Sequence, residues 1–138
     1  MTLKQISVFL ENTKGRLAEV TDLLGREGIN LRALTLADTK DFGILRLVVD
    51  DPEKALSLLA KAGFTAKVTE VIGIEVDDNP GGLASVLNLL KVEEVNIEYI
   101  YSSLENSKKK AVIIFRIEDT EEGLKIIARK GIKTISHF

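Results

Sequence analysis

Cysteine is absent from these 138 residues, and histidine occurs once, at His137. Without thiolates the chain has no disulfide, no thiol nucleophile and no Cys-ligated zinc or iron-sulfur cluster, and a single imidazole does not build a histidine metal cage. An excess of one charge is missing as well: 19 Lys and Arg stand against 21 Asp and Glu, a formal charge of -2. No basic field therefore exists on which binding to a nucleic-acid backbone could rest. No apolar run approaches the roughly 18 residues of a membrane span; the longest are broken by Arg46, Asp50, Glu75 and Asp77. Catalytic signatures are lacking too. No serine sits in a Gly-x-Ser-x-Gly elbow, no loop has a Walker spacing, and no paired-carboxylate site can be fixed. These absences lead us to expect a soluble, cytoplasmic, non-catalytic protein with no metal and no cofactor, bound to neither nucleic acid nor membrane. The first ten residues, with one basic side chain and no small-residue cleavage site, read as a strand and not as a signal peptide.

What is present is a repeat. Placing Gly15 on Gly81 brings Ile6 onto Ile72, Leu17 and Ala18 onto Leu83 and Ala84, Val20 onto Val86, Leu23 and Leu24 onto Leu89 and Leu90, and Asn30 onto Asn96. After a slightly longer polar loop around Glu105 to Lys110, Asp51 falls on Asp119, Leu56 on Leu124, Ala60 on Ala128 and Gly63 on Gly131. Added loop length leaves both cores intact. The expected domains are residues 1–71 and 72–138, each close to the lower size at which a single core is stable.

Period-two alternation over residues 4–10 predicts a half-buried strand. Leu17, Val20, Leu23 and Leu24 then recur at helical spacing, ended by Gly28. Residues 29–37 and 42–49 read as two strands, Asp51 and Pro52 as the cap and first turn of a second helix, Gly63 as its stop, and 65–71 as a last strand. The second half repeats this order, with strands over 72–76, 95–103, 111–117 and 132–138 and helices over 82–90 and from Thr120. Two helices must cover one sheet face in each half. The expected fold class is therefore α+β, two tandem ferredoxin-like βαββαβ units with helices on one face. Val71 and Ile72 join the repeats with no Gly/Ser/Pro spacer, so a fixed relative position is expected. Exposed edge strands invite side-by-side pairing into a longer sheet and a homodimer.

The most informative segments are Glu11-Asn12-Thr13-Lys14-Gly15-Arg16-Leu17 and Asp77-Asp78-Asn79-Pro80-Gly81-Gly82-Leu83. Each joins the first strand of its unit to the first helix, where glycine lets backbone approach another group and the helix start leaves N–H donors unpaired. Such a join can hold a carboxylate against the positive helix end, while an asparagine amide oxygen or a peptide carbonyl takes the ammonium of a zwitterion. Glycine beside asparagine or proline is also ordinary turn and cap chemistry that needs no ligand, and both readings stand. Asn30 and Asn96, at the entrance to each second strand, orient a neighbouring ligand or serve as local turn residues.

Together with Gly28-Ile29-Asn30-Leu31 and Phe42-Gly43-Ile44-Leu45-Arg46-Leu47, these segments make the chain resemble a stand-alone tandem ACT protein, over nearly all of both halves. The ACT domain is a small regulatory module that binds amino acids. The resemblance implies paired modules in an eight-stranded antiparallel sheet, with amino-acid effectors held where the first loop of one module faces the second strand of another. Carried onto this chain, the ligand-binding candidates are Asn12, Gly15, Arg16 and Asn30, Asn79, Gly81, Gly82 and Asn96. Leu34, Leu36 and Tyr101 of the second strands join them. Two positions depart from the pattern: Lys14 stands where the second loop has Pro80, and Glu94 where the first repeat has Gly28.

Tyr99 and Tyr101 share one strand face and line either a ligand cavity, a dimer contact or a core. Lys108, Lys109 and Lys110 form the one dense basic run and read as a solvated turn. The leading expectation is a sensor of a small amino-acid effector, acting as a homodimer on an amino-acid biosynthetic enzyme. Two further readings remain: a structural scaffold for a metabolic enzyme that has lost its ligand, and a small hydrolase using Arg16 and an asparagine as an oxyanion clamp.

Overall fold

Apolar residues at alternate positions of the first segment decide the architecture, because Ile6, Val8 and Leu10 can be buried together only if they share one face of a strand. The computed structural model describes residues 1–38, 41–104 and 110–138. Its elements are β1 (Leu3–Glu11), α1 (Arg16–Arg26), β2 (Leu31–Asp38), β3 (Phe42–Val49), α2 (Pro52–Lys61), β4 (Thr65–Asp77), α3 (Gly82–Val92), β5 (Ile97–Ser102), β6 (Lys110–Ile117), α4 (Thr120–Arg129) and β7 (Thr134–Ile135). The chain divides into two compact units, Lys4–Thr69 and Glu70–Phe138, the latter joined by Met1–Leu3. We call them the N-terminal and C-terminal units.

In the N-terminal unit the strand order is β2-β3-β1-β4. β1 and β3 run antiparallel from Ile6 opposite Leu47 to Glu11 opposite Phe42. β2 runs along β3 from Leu31 opposite Val49 to Asp38 opposite Gly43. Val20 and Leu24 of α1 and Ala55 and Leu59 of α2 enter one cluster with Ile6, Val8, Leu10, Leu45 and Leu47, so both helices lie on the same face of this sheet. Asp51 caps α2 by accepting the Lys54 N–H at 3.2 Å, with Pro52 in the first turn. On the other face Gln5 and Ser7 are buried, and Gln5 Nε2 donates to Ser7 Oγ at 3.2 Å, which offsets the cost of removing the amide from water.

The C-terminal unit repeats the plan. β4 pairs with β6, β6 with β5, and β7 with β4, all antiparallel. Ile72, Ile74, Val76, Leu90, Phe115, Ile117, Ile126 and Ile127 form its core, and Asp119 caps α4 through the Glu122 N–H at 3.0 Å.

Three outcomes differ from the sequence reading. The strands expected over 65–71 and 72–76 are one 13-residue strand, β4, so the expected eight strands are seven among the described residues. Thr65 to Asp77 contains neither proline nor a turn sequence, and nothing in the local chemistry stops the strand. The strand expected over 132–138 contracts to Thr134–Ile135, which pairs with Ile74 and Gly73 of β4. Lys108 and Lys109 lie outside the described residues, while Lys110 opens β6.

Candidate functional site

The two strand-to-helix joins are built alike at one point. Gly15 precedes α1 with φ 84° and ψ -9°, and Gly81 precedes α3 with φ 87° and ψ -3°. Both are in the left-handed region, which an L side chain adopts only with strain. Neither helix receives a side-chain cap at its start, so the positive helix ends are left to backbone, solvent or a ligand. The carbonyl of Gly15 accepts the Glu19 N–H at 2.9 Å, and that of Gly81 accepts both the N–H and the hydroxyl of Ser85, each at 2.9 Å.

One residue later the joins diverge. A Cβ on Gly82 would lie 1.9 Å from the Asp77 carbonyl oxygen, so the second loop closes back on the helix start as only a glycine permits. In the first loop Arg16 occupies the matching place. Its guanidinium lies 4.4 Å from the centroid of the Phe64 ring, and its Nη1 donates to Glu19 Oε2 at 2.7 Å. The first turn of α1 thus carries an acid, Glu19, whereas the first turn of α3 carries none. Asp77 accepts from Lys110 Nζ, and this hydrogen bond, with the charge of Asp77, raises the Lys110 ammonium above its ordinary range.

Asn12, Gly15 and Arg16 thus come together at one end of the N-terminal unit, as Asn79, Gly81 and Gly82 do in the C-terminal unit. Asn30 and Asn96 lie elsewhere. They precede β2 and β5 at the far ends of those strands, beside the last residues of β3 and β6. Asn30 N–H donates to Asp50 Oδ1 at 3.0 Å, and Asn96 Nδ2 donates to Glu118 Oε2 at 2.7 Å. Within each unit the asparagine and the loop are separated by the length of a strand. Leu34 packs half-buried against the N-terminal core, while Leu36 is 46% exposed. Tyr101 is buried and stacked on Tyr99, with ring centroids 6.5 Å apart. Its cross-strand partner is Ile114, whose neighbours Ile113 and Phe115 join the helix-side core, so both tyrosines point away from the helices.

Sequence reasoning missed a cavity of about 650 Å³ at the far end of the C-terminal unit, lined by Glu94, Asn96, Glu118, Asp119, Glu122 and Arg129 among others. It also missed the Asp77–Lys110 pair and the seat of Arg16 on Phe64, which bring together residues far apart in sequence and leave no local signal. Glu94 was the legible clue. It keeps a positive φ of 56° where its counterpart Gly28 has 74°. Among the described residues no group of three or more His, Cys, Asp or Glu is arranged to hold a metal ion, and no helix is long and apolar enough to cross a membrane.

Comparison with known proteins gives the family. A model described as an ACT domain pair matches residues 1–137. A protein of Bacteroides thetaiotaomicron of known crystal structure is 41% identical with a TM-score of 0.91, over 98% of this chain and 92% of that one. The ligand-free regulatory subunit of aspartate kinase from Thermus thermophilus is similar in fold, with a TM-score of 0.62 at 20% identity over 91% of each chain. The corresponding Thermus flavus subunit has a TM-score of 0.58 at 20% identity, over 91% of this chain and 90% of that one. No curated protein matches the chain. With the family model spanning both units and a relative this similar along the whole chain, the protein belongs to the family of ACT domain pairs.

Proposed function

We propose that this protein senses a free amino acid, and that the effector sits at a strand-to-helix join with its carboxylate against the start of the helix. The observation that carries this reading is the Asp77–Gly82 loop. Left-handed Gly81 and side-chain-free Gly82 lead into α3, whose start has no side-chain cap and no acid in its first turn. Exposed Asp78 and Asn79 on the same loop supply oxygen acceptors for an ammonium. A carboxylate replaces solvent at the positive helix end, a gain of about 0.3–1 kcal/mol at an exposed site and more where water is excluded.

A neighbouring ACT module in an oligomer closes the site. β2 and β5 each pair on one side with β3 or β6, and they carry the exposed Leu36 and Ile100. An effector that touches two modules binds one pairing better than another, and that difference in affinity shifts their populations. The downstream partner in this reading is an amino-acid biosynthetic enzyme whose affinity for the protein follows the pairing. Isothermal titration of the full chain with each standard amino acid tests it. Binding of at least one below the millimolar range is expected. Silence from all of them, together with an enzyme that co-purifies regardless of added amino acid, replaces sensing with scaffolding.

A further inference from the structure

We infer that the cavity of about 650 Å³ between the end of α3 and the start of α4 takes a short aliphatic diamine, because the matching place in the N-terminal unit is bridged by the ammonium of its own Lys54. The cavity lies at the end of its unit away from the strand-to-helix join, and the inference stands apart from the sensing reading.

The duplication shows what this place holds. In the N-terminal unit Lys54 Nζ donates to the Glu27 carbonyl oxygen at 2.7 Å, so an alkyl stem crosses from the first turn of α2 and sets its cation against the negative end of α1. The counterparts of Glu27 and Lys54 are Glu93 and Glu122, and both line the cavity. A carboxylate has no proton to donate at neutral pH, and among the described residues nothing is bonded to the Glu93 carbonyl. The bridge made in one repeat is therefore left open in the other. The charges follow the same contrast. Glu93, Glu94, Glu118, Asp119 and Glu122 line the cavity with one cation, Arg129, whereas their counterparts are Glu27, Asp50 and Asp51 with Lys54 and Lys61. Arg129 and the adjacent Lys130 both pair with Glu93, at 3.5 and 3.2 Å. Glu118 accepts from Asn96, and Asp119 accepts from the Glu122 N–H, capping the positive end of α4 that would otherwise oppose a cation. The side chains of Glu94 and Glu122 have no partner among the described residues, and neither Lys91 nor Lys125, the lysines of α3 and α4, pairs with them. Two free carboxylates match two ammonium groups, and Val95, Ile117 and Ile126 give the cavity apolar wall for the methylenes between. A coordinated metal is not what these acids fit, since no three of them among the described residues are arranged to hold one.

The test is isothermal titration of the full chain with 1,4-diaminobutane at constant ionic strength, beside 1,4-butanediol, which keeps the stem without the charge, and magnesium chloride, which brings the charge without the stem. Diamine binding below the millimolar range at one per chain is expected, with the diol and magnesium at least about tenfold weaker. Glu122→Lys, which installs the residue of the N-terminal unit, is expected to weaken diamine binding about tenfold or more. Glu121→Lys makes the same charge change at the next position, which does not line the cavity, and is expected to stay within about threefold of the parent. Both positions are exposed, and each variant is checked for a melting profile no lower than the parent's. No diamine binding, magnesium or diol binding as tightly as the diamine, or equal loss in the two variants overturns the inference, the last because the acids would then be acting only as diffuse surface charge. Amino-acid titrations, which read the joins, are expected to be unchanged in Glu122→Lys, so failure of this inference and failure of sensing are seen separately.

Discussion

Replacing Glu94 by glycine should stabilise the protein. Glu94 follows α3 with a φ of 56°, the one non-glycine residue in the left-handed region among the described residues. Its N–H donates to the Lys91 carbonyl at 3.0 Å, the bond that Gly28 makes to Gly25 at 3.1 Å after α1. The geometry of the helix stop is thus retained at a side chain that strains it. That conformation costs an L residue about 1–2 kcal/mol. Glycine loses more freedom on folding, about 0.5–1 kcal/mol, so the net gain is about 0.5–1 kcal/mol. With about 2.1 cal/mol/K of unfolding entropy per residue, that gain raises the melting temperature of a chain this long by about 2–3 °C. Urea titration followed by far-ultraviolet circular dichroism reads the same quantity as a higher midpoint at unchanged slope. Glu94→Ala is the control. It removes the carboxylate and retains Cβ, so it should show no comparable gain. If the glycine and alanine variants are equally stable, backbone strain is not the quantity at work, and removal of one acid from the crowded Glu94–Glu118–Asp119 cavity takes its place as the cause.

Two other outcomes follow from the loops. Gly82→Ala should cost about 1–3 kcal/mol, because its Cβ would lie 1.9 Å from backbone that cannot rotate aside; Gly15→Ala, with open space around it and only its positive φ to oppose it, should cost about 1–2 kcal/mol. Equal melting temperatures for Gly82→Ala and the parent would show that the loop relaxes freely. Asp77→Asn should bring the Lys110 ammonium back toward its ordinary value of 10.5, seen by NMR titration of the side-chain nitrogen. Since the folded value is the raised one, the stabilisation is fully present below the ordinary lysine range and fades as pH climbs through the raised value. Parent and variant should therefore converge in stability at strongly alkaline pH, and a gap that persists there would assign the loss to something other than this pair.

Much of the plan was legible because its causes are local. Alternation and helical spacing are properties of neighbouring residues, and the caps Asp51 and Asp119 act on N–H groups three positions on, so the order of elements and the helix starts could be read directly. The duplicated glycine joins were visible for the same reason. Position 94 was legible only as an anomaly: the repeat showed that a glycine was missing, and the backbone then showed that its conformation had been kept.

The candidate site divided along the same line. Asn30 and Asn96 were conspicuous as a repeated pair, yet β2 and β5 begin at the end of the unit away from the joins, and which end a strand begins at follows from antiparallel pairing with β3 or β6. By itself the sequence determined two βαββαβ repeats, the joins Gly15 and Gly81, and the lack of thiol or multi-histidine chemistry, since composition, period and spacing suffice for these. Only the tertiary structure decided that β4 runs unbroken, that Arg16 rests on Phe64 and that Lys110 meets Asp77, because those contacts join residues whose separation along the chain says nothing about their distance in space.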